Sequence, residues 1–87
     1  MKLIYAIIHE KDSGDAIEAL TEHGFTVTHL SSTGGFLRSG NVTLLIGVEA
    51  DQVAHVTGLL EQHCTPQAPN QHAATLFVLD MPIYFKL

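Results

Sequence analysis

Apolar and polar positions along the chain predict four strands and two helices. Long apolar runs bounded by charged or turn residues indicate buried strands at Lys2–His9, at Val42–Glu49 and from Ala74 to Leu79. A period of two, rich in β-branched residues, indicates another strand from Phe25 to Ser31. A helix with one apolar stripe is predicted after the first strand and another after the third. The two stripes consist of Ala16, Ile17, Leu20 and His23, and of Val53, Val56, Leu60 and His63 (or Leu59).

Turn and capping residues set the expected ends of both helices. Asp12 or Ser13 is expected to cap the first helix, because short oxygen-bearing side chains accept hydrogen bonds from the first free amides. Gly24 is expected to end that helix as its C′ residue. Asp51 is the expected cap of the second helix.

The element order β-α-β-β-α-β predicts one ferredoxin-like α/β (α+β) domain over residues 1–87. Right-handed crossovers place both helices on the same face of an antiparallel sheet and leave the other face uncovered. The first strand is nevertheless apolar on both faces, since Leu3, Tyr5 and Ile7 alternate with the apolar positions between them. An uncovered apolar face of this size leads to aggregation unless something packs on it. We therefore predict self-association through the sheet.

Charge and composition narrow the classes of partner. The 87-residue chain carries a net charge of -5 with four cations, Lys2, Lys11, Arg38 and Lys86. Binding to a nucleic-acid backbone requires many Lys and Arg side chains, so this partner is not expected. One small anionic ligand remains compatible, because a single arginine and backbone amides can bind it.

The N-terminal apolar run and the single cysteine indicate the expected compartment. Leu3 to Ile8 is far shorter than the roughly 18 residues of a membrane span and does not resemble a signal peptide, so no membrane partner is expected. Cys64 is the only cysteine, which excludes an intrachain disulfide and fits a reducing compartment. A cytoplasmic protein with a buried structural thiol is predicted.

The segment from Ser31 to Asn41 contains the strongest candidate chemistry. Its glycines permit close approach of a ligand to the backbone, and its amides can surround an anion. Phe36 offers a ring for stacking, Arg38 a fork of donors, and Asn41 an amide that can read a base edge. This set suits a nucleotide-like ligand. The alternative interpretation is a hairpin loop with a buried phenylalanine and a solvated arginine.

The loop sequence Ser-Thr-Gly-Gly-Phe-Leu-Arg-Ser-Gly-Asn, residues 32–41, closely resembles the signature loop of the PII-like cyclic-di-AMP receptor family. The opening Met-Lys-Leu-Ile, the pair at 12–13 and the strand at 74–78 resemble that family too, so the similarity spans most of the chain. The resemblance implies a non-enzymatic signal-transduction protein that forms a homotrimer. It further implies that cyclic di-AMP binds in the clefts between subunits, and it allows an unknown protein partner.

The resemblance also implies ligand contacts, position by position. Phe36 would stack on an adenine and Phe77 would close the adenine pocket, while Thr28 and Asn41 would hydrogen-bond the nucleotide. Gly47 would let the backbone of the third strand approach the base. The complete implied set is Thr28, Thr33, Gly34, Gly35, Phe36, Leu37, Arg38, Asn41, Gly47, Phe77 and Lys86.

Three departures from the family leave alternatives open. Gly24 and Thr26 stand where family members commonly have Asn and Arg, and Lys86 replaces a usual Gln. The long hairpin before the last strand is reduced to about Thr65–Ala73. A shortened protein could bind another adenine nucleotide or act as a ligand-free adaptor.

Histidines suggest a different class, a metal-responsive trimer. Six histidines and Cys64 occur in the chain, but they lack the spacings of strong metal sites, and no cofactor or resident metal is expected. No catalytic pair can be assembled from the spacing of nucleophiles and histidines, so no enzymatic activity is expected.

Overall fold

The computed structural model describes residues 1–31, 40–66, 72–82, 85 and 87, and within them the predicted element order is confirmed. A short 3₁₀ turn, Ala50–Gln52, precedes the second helix. The elements are β1 (Lys2–His9), α1 (Glu10–Glu22), β2 (Val27–Ser31), β3 (Asn41–Val48), α2 (Val53–His63) and β4 (Ala74–Asp80). Neither helix in the described ranges is long and apolar enough to cross a membrane.

The four strands form one antiparallel sheet in the order β2-β3-β1-β4. This is the ferredoxin-like order, in which β1 and β3 are central and β2 and β4 are the edges. The register places Ile4 between Ile46 on β3 and Val78 on β4. Lys2 and Asp80 form an ion pair at the end of the β1–β4 ladder, and the hydrogen bond and charge of Lys2 lower the pKa of the Asp80 carboxyl.

One face of the sheet packs against both helices and forms the core. Alternate residues of the central strands are buried there, as a period of two requires. They meet the apolar stripe of each helix, and Cys64 at the end of α2 completes the cluster. The core consists of Ile4, Ala6, Ile8, Val42, Leu44, Ile46 and Val48 from the sheet, with Ala16, Leu20, Val56, Leu59, Leu60 and Cys64 from the helical layer.

The opposite face, which we call the open face, is apolar as well. In β1 it carries Leu3, Tyr5 and Ile7, all only partly buried. Phe77 and Leu79 on β4 are each 51% exposed. Large exposed apolar side chains grouped on one surface indicate an interaction site, in agreement with the expectation from the sequence.

The start of α1 differs from the prediction. The helix begins at Glu10, directly after β1, and its N-cap residue His9 makes no side-chain capping bond. Asp12 and Ser13 therefore lie within the first turn, and the expected cap was wrong. The Glu10 amide instead donates to the Gly40 carbonyl (2.7 Å), and the Ser13 hydroxyl donates to the Glu10 carbonyl. A backbone partner from the β2–β3 connection thus replaces one side-chain cap.

The end of α1 follows the prediction. Gly24 has φ +86°, and its amide donates to the Thr21 carbonyl while the Phe25 amide donates to the Leu20 carbonyl. These two bonds define a Schellman motif with Gly24 at C′. Because the motif uses the Phe25 amide, β2 begins at Val27 and not at Phe25 as predicted.

The start of α2 also differs from the prediction. Asp51 lies inside the 3₁₀ turn, and the N-cap residue of α2 is Gln52, which makes no side-chain capping bond. The 3₁₀ turn tightens the chain as it leaves β3, so the amide of Gln52 is satisfied by the Glu49 carbonyl.

Thr43 on the open face supplies a stability prediction. It lies between Ile7 and Leu30, is 1% exposed, and its hydroxyl has no hydrogen-bond partner in the described structure. A buried hydroxyl without a partner costs about 1–3 kcal/mol. We expect Thr43→Val to raise the free energy of unfolding by roughly that amount in urea titrations. Thr75→Val, at the exposed edge of the same row, should change it by less than about 0.5 kcal/mol.

A loss of stability in Thr43→Val would contradict this prediction. It would mean that the hydroxyl has a hydrogen-bond partner in solution, for example in an assembled oligomer.

Candidate functional site

A row of four side chains crosses the open face from one edge to the other. Directly paired residues of antiparallel strands share a face, so the register places Thr28 of β2, Leu45 of β3, Tyr5 of β1 and Phe77 of β4 side by side. Thr28 and Phe77, two residues assigned to ligand contact from the sequence, occupy the two ends of this row. Both are exposed.

Asn41 and Gly47 lie on the same face, at opposite ends of β3. Asn41 pairs with His9, and Gly47 pairs with Leu3. A Cβ atom added to Gly47 would lie 3.4 Å from the terminal methyl carbon of Met81. The methionine side chain therefore covers the glycine, and a base that reached the β3 backbone would have to move this flexible thioether.

The remaining predicted contacts fall outside the described residues. These are Thr33, Gly34, Gly35, Phe36, Leu37, Arg38 and Lys86. The structure does describe the end of the glycine-rich segment. Gly40 has φ +89°, a conformation that favours glycine, and its carbonyl accepts the bond from the Glu10 amide. The segment thus returns to the sheet beside the start of α1.

The four described candidates do not form a single cluster within one chain. Strands lie about 4.8 Å apart, so Thr28 and Phe77, three strand steps apart, are separated by roughly 14 Å. Asn41 and Gly47 are six residues apart on one strand, or roughly 20 Å. The structure brings these residues onto one surface but not into one pocket.

Tyr5 is a candidate that reasoning from the sequence missed. Its ring meets the ring of Phe77 edge to face, with 6.2 Å between centroids and 72° between planes. Such a pair is favourable and fixes the orientation of the more exposed ring. Alternation within β1 placed Tyr5 on one face with Leu3 and Ile7, but it did not show which face is the open one. Its contact with Phe77 depends on the β1–β4 register, which local sequence does not specify.

The family departures at Gly24 and Thr26 lie at the turn before β2. Gly24 is the C′ residue of α1, where glycine and asparagine are the favoured residues. The glycine therefore preserves the turn that an asparagine would form. Thr26 is exposed between this turn and β2.

The histidines do not form a metal centre within the described ranges. No group of three or more His, Cys, Asp or Glu residues there is arranged to hold a metal ion. His23 and His55 meet edge to face across the two helices, with 5.1 Å between ring centroids, and Phe25 packs on His55 at 5.4 Å. His23 Nδ1 also lies 2.8 Å from the Ala19 carbonyl oxygen. These contacts give both imidazoles a packing role.

Cys64 is a buried thiol at the end of α2, as predicted. The pKa of this thiol is raised from 9.0 to about 11, mainly by burial and to a smaller extent by the negative charge of Asp12. Because the folded state favours the neutral thiol, this group contributes full stability below the unfolded pKa, and the contribution is lost as pH rises from about 9 to 11.

We expect Cys64 to react slowly with thiol reagents. At pH 8 a rise of two pKa units lowers the thiolate fraction by about a hundredfold relative to an unfolded chain. Reaction with a colorimetric disulfide reagent, in buffer and in guanidinium chloride, measures the difference. Equal rates in the two solutions would contradict the burial of this thiol.

The strand order and the two helices on one face define a small ferredoxin-like protein with a partly exposed apolar sheet face. The family model described as cyclic-di-AMP receptor matches residues 1–77. This covers most of the chain, and the chain therefore belongs to the cyclic-di-AMP receptor family. The resemblance drawn from the loop sequence is confirmed.

A solved structure has the same fold over nearly its full length. It is described as a functionally unknown protein from Pediococcus pentosaceus ATCC 25745, and it superposes with a TM-score of 0.80 at 29% sequence identity. The match covers 99% of this chain and 96% of that chain. The likeness supports the architecture described above.

Proposed function

We propose that this protein is a homotrimeric receptor that binds cyclic di-AMP in clefts between neighbouring subunits. Membership of the cyclic-di-AMP receptor family supports the ligand class. The observation that supports the proposed assembly is that Thr28 and Phe77 lie at opposite edges of one open face.

A second copy of the chain can bring together candidate residues that are far apart within one copy. Side chains roughly 14 Å apart cannot both contact one adenine, because hydrogen bonds and stacking act over about 3–4 Å. If the open faces of neighbouring copies meet, the β2 edge of one copy can lie beside the β4 edge of the next. Thr28 and Asn41 from one subunit and Phe77 from its neighbour then line the same cleft.

Burial favours this arrangement on energetic grounds. The open face carries Leu3, Tyr5, Ile7, Leu30, Leu45, Phe77 and Leu79, with the last two half exposed in the isolated chain. Covering apolar surface stabilises an assembly by about 25 cal/mol per Å² before the costs of association. Polar side chains at the rim, such as Thr28 and Asn41, remain available to a ligand.

Each candidate residue has a distinct proposed role. Phe77, oriented by Tyr5, provides a ring face for one adenine, and Phe36 stacks on an adenine from the glycine-rich segment. Asn41 and Thr28 donate to or accept from the nucleotide. Arg38 and Lys86 supply positive charge to the phosphates.

Calorimetric titration of the intact protein tests the proposal. We expect dissociation constants in the micromolar range or below for cyclic di-AMP, with one ligand for each subunit. Cyclic di-GMP serves as the matched control, because it keeps the phosphate ring and changes only the bases. No heat at millimolar cyclic di-AMP, from a protein with the mass of a trimer, would overturn the ligand assignment.

A second experiment separates the alternative ligands. Replacement of the family arginine by Thr26 removes one charged contact to a phosphate, which favours a ligand that depends less on that contact. Thermal-shift scans with AMP and ATP beside cyclic di-AMP identify such a ligand. A larger shift with a linear nucleotide would replace cyclic di-AMP in the proposal while leaving the clefts in place.

A further inference from the structure

A small cavity lies between the end of β1 and the beginning of β4, beside the residue at which β3 begins. Its volume is about 70 Å³. Liquid water occupies about 30 Å³ per molecule, so the cavity has room for about two waters or one group of similar size. It is lined by Ile7, Ile8, His9, Asn41, His72, Ala73, Ala74 and Thr75.

The polar side chains of this cavity have no partners within the described structure. No side-chain hydrogen bond to another described residue is made by His9, Asn41, His72 or Thr75. His9 and Asn41 are directly paired across β1 and β3. His72 and Thr75 flank Ala73 and Ala74, β4 begins at Ala74, and all four residues line the cavity. Four polar groups thus surround a space that an external group can enter.

The chemistry of the lining favours an anion. Imidazole, carboxamide and hydroxyl groups all donate hydrogen bonds, and a protonated imidazole donates from both nitrogens. Within the part of the chain that the structure describes, no Asp, Glu, Lys or Arg lines the cavity. The charged residues that follow His9 in the chain, Glu10 and Lys11, are exposed. Among the described lining residues, only His9 and His72 have side chains that can carry positive charge.

A metal ion fits the lining less well. The described lining residues offer two imidazoles and one amide but no carboxylate or thiolate, and no three-ligand group occurs within the described ranges. Divalent transition metals in proteins usually have at least three such ligands.

We propose that His9 and His72, together with Asn41, form a proton-dependent subsite for a phosphodiester or phosphate oxyanion of the bound nucleotide. The placement beside Asn41 rests on the proposed function, in which Asn41 contacts the ligand. Histidine is the side chain that changes charge between about pH 5 and pH 8, so the affinity for the anion increases as pH falls through that range. Hydrogen bonds from a cationic donor are roughly twice as strong as neutral ones.

Titrations with cyclic di-AMP at pH 8.0 and pH 5.5 test the subsite. We expect affinity to increase by about tenfold at the lower pH, as charged donors replace neutral ones. In His9→Gln/His72→Gln, which keeps hydrogen-bond donors but removes both imidazoles, the increase in affinity at the lower pH should disappear. His29→Gln, an exposed histidine on the far edge strand β2, is the matched control and should behave as the unmodified protein.

A second measurement separates failure of the subsite from failure of the receptor function. In histidine NMR spectra at pH 5.5, we expect inorganic phosphate to shift the imidazole signals of His9 and His72 and to leave His29 unchanged. Phosphate shifts without any cyclic di-AMP binding would support the subsite and overturn the receptor proposal. Tight cyclic di-AMP binding with an unchanged pH dependence in the double variant would overturn the subsite alone. Stoichiometric Zn²⁺ binding that the double variant loses would identify a metal site and overturn the anion assignment.

Discussion

Phe77→Ala is expected to weaken cyclic di-AMP binding by roughly 10- to 100-fold. Stacking of a base on an aromatic side chain contributes about 1–3 kcal/mol, and 1.4 kcal/mol corresponds to a tenfold change in affinity. Phe77 is suited to this role because its ring is 51% exposed and is oriented by an edge-to-face contact with Tyr5. The measurement is calorimetric titration of the variant beside the unmodified protein.

The chain offers a matched control for this change. Phe85 is 78% exposed and lies beyond β4, outside the row on the open face. Phe85→Ala makes the same chemical change and should leave the affinity within about twofold, as for a residue without a ligand contact. Because Phe77 also faces the proposed seam, the mass of each variant is measured in the same experiment. An unchanged affinity in a trimeric Phe77→Ala protein would remove this residue from the site.

Leu45→Asp is expected to dissociate the assembly. Leu45 lies within the row between Thr28 and Tyr5, near the middle of the open face. An unpaired carboxylate buried in an interface costs several kcal/mol for each subunit, and a closed trimer contains three copies of the change. Sedimentation of the unmodified protein should give about three times the chain mass of 9.4 kDa, and the variant should sediment as a single chain.

Ala54→Asp is the control for added charge. Ala54 is exposed on α2, on the side of the molecule away from the open face. This variant should remain trimeric, with unfolding curves similar to those of the unmodified protein. If the unmodified protein sediments as one folded chain, the clefts do not exist and the binding proposal fails with them. Loss of folding in Leu45→Asp is recognised by circular dichroism, and Tyr5→Asp then provides an independent test at the neighbouring position.

The extent of successful prediction differs between the fold and the site. The apolar runs of β1, β3 and β4, the period of two in β2 and the stripes of α1 and α2 gave the correct element order. Capping was predicted less well. Asp12, Ser13 and Asp51 are all good capping residues, yet the helices begin where backbone carbonyls of Gly40 and Glu49 satisfy free amides. Those partners come from turns and tertiary contacts that local preferences do not encode.

The sequence supplied the candidate residues but not their arrangement. The strand register places Thr28, Asn41, Gly47 and Phe77 on the open face. Their separation across the sheet depends on strand order, which decides that β2 and β4 are opposite edges. The Tyr5–Phe77 contact and the cover that Met81 places over Gly47 depend in turn on register.

The amino-acid sequence alone determined the periods of the strands and helices, the Gly24 turn, the excess of apolar surface and the family to which the chain belongs. Each of these features depends on residues close together in the chain, or on a motif that can be compared directly. Only the tertiary structure decided which side chains are neighbours. It placed His9 beside Asn41 and near His72, enclosed the Thr43 hydroxyl without a partner, and buried Cys64 near the charge of Asp12. These contacts join residues from distant parts of the chain, so their geometry is fixed only when the strands and helices pack together.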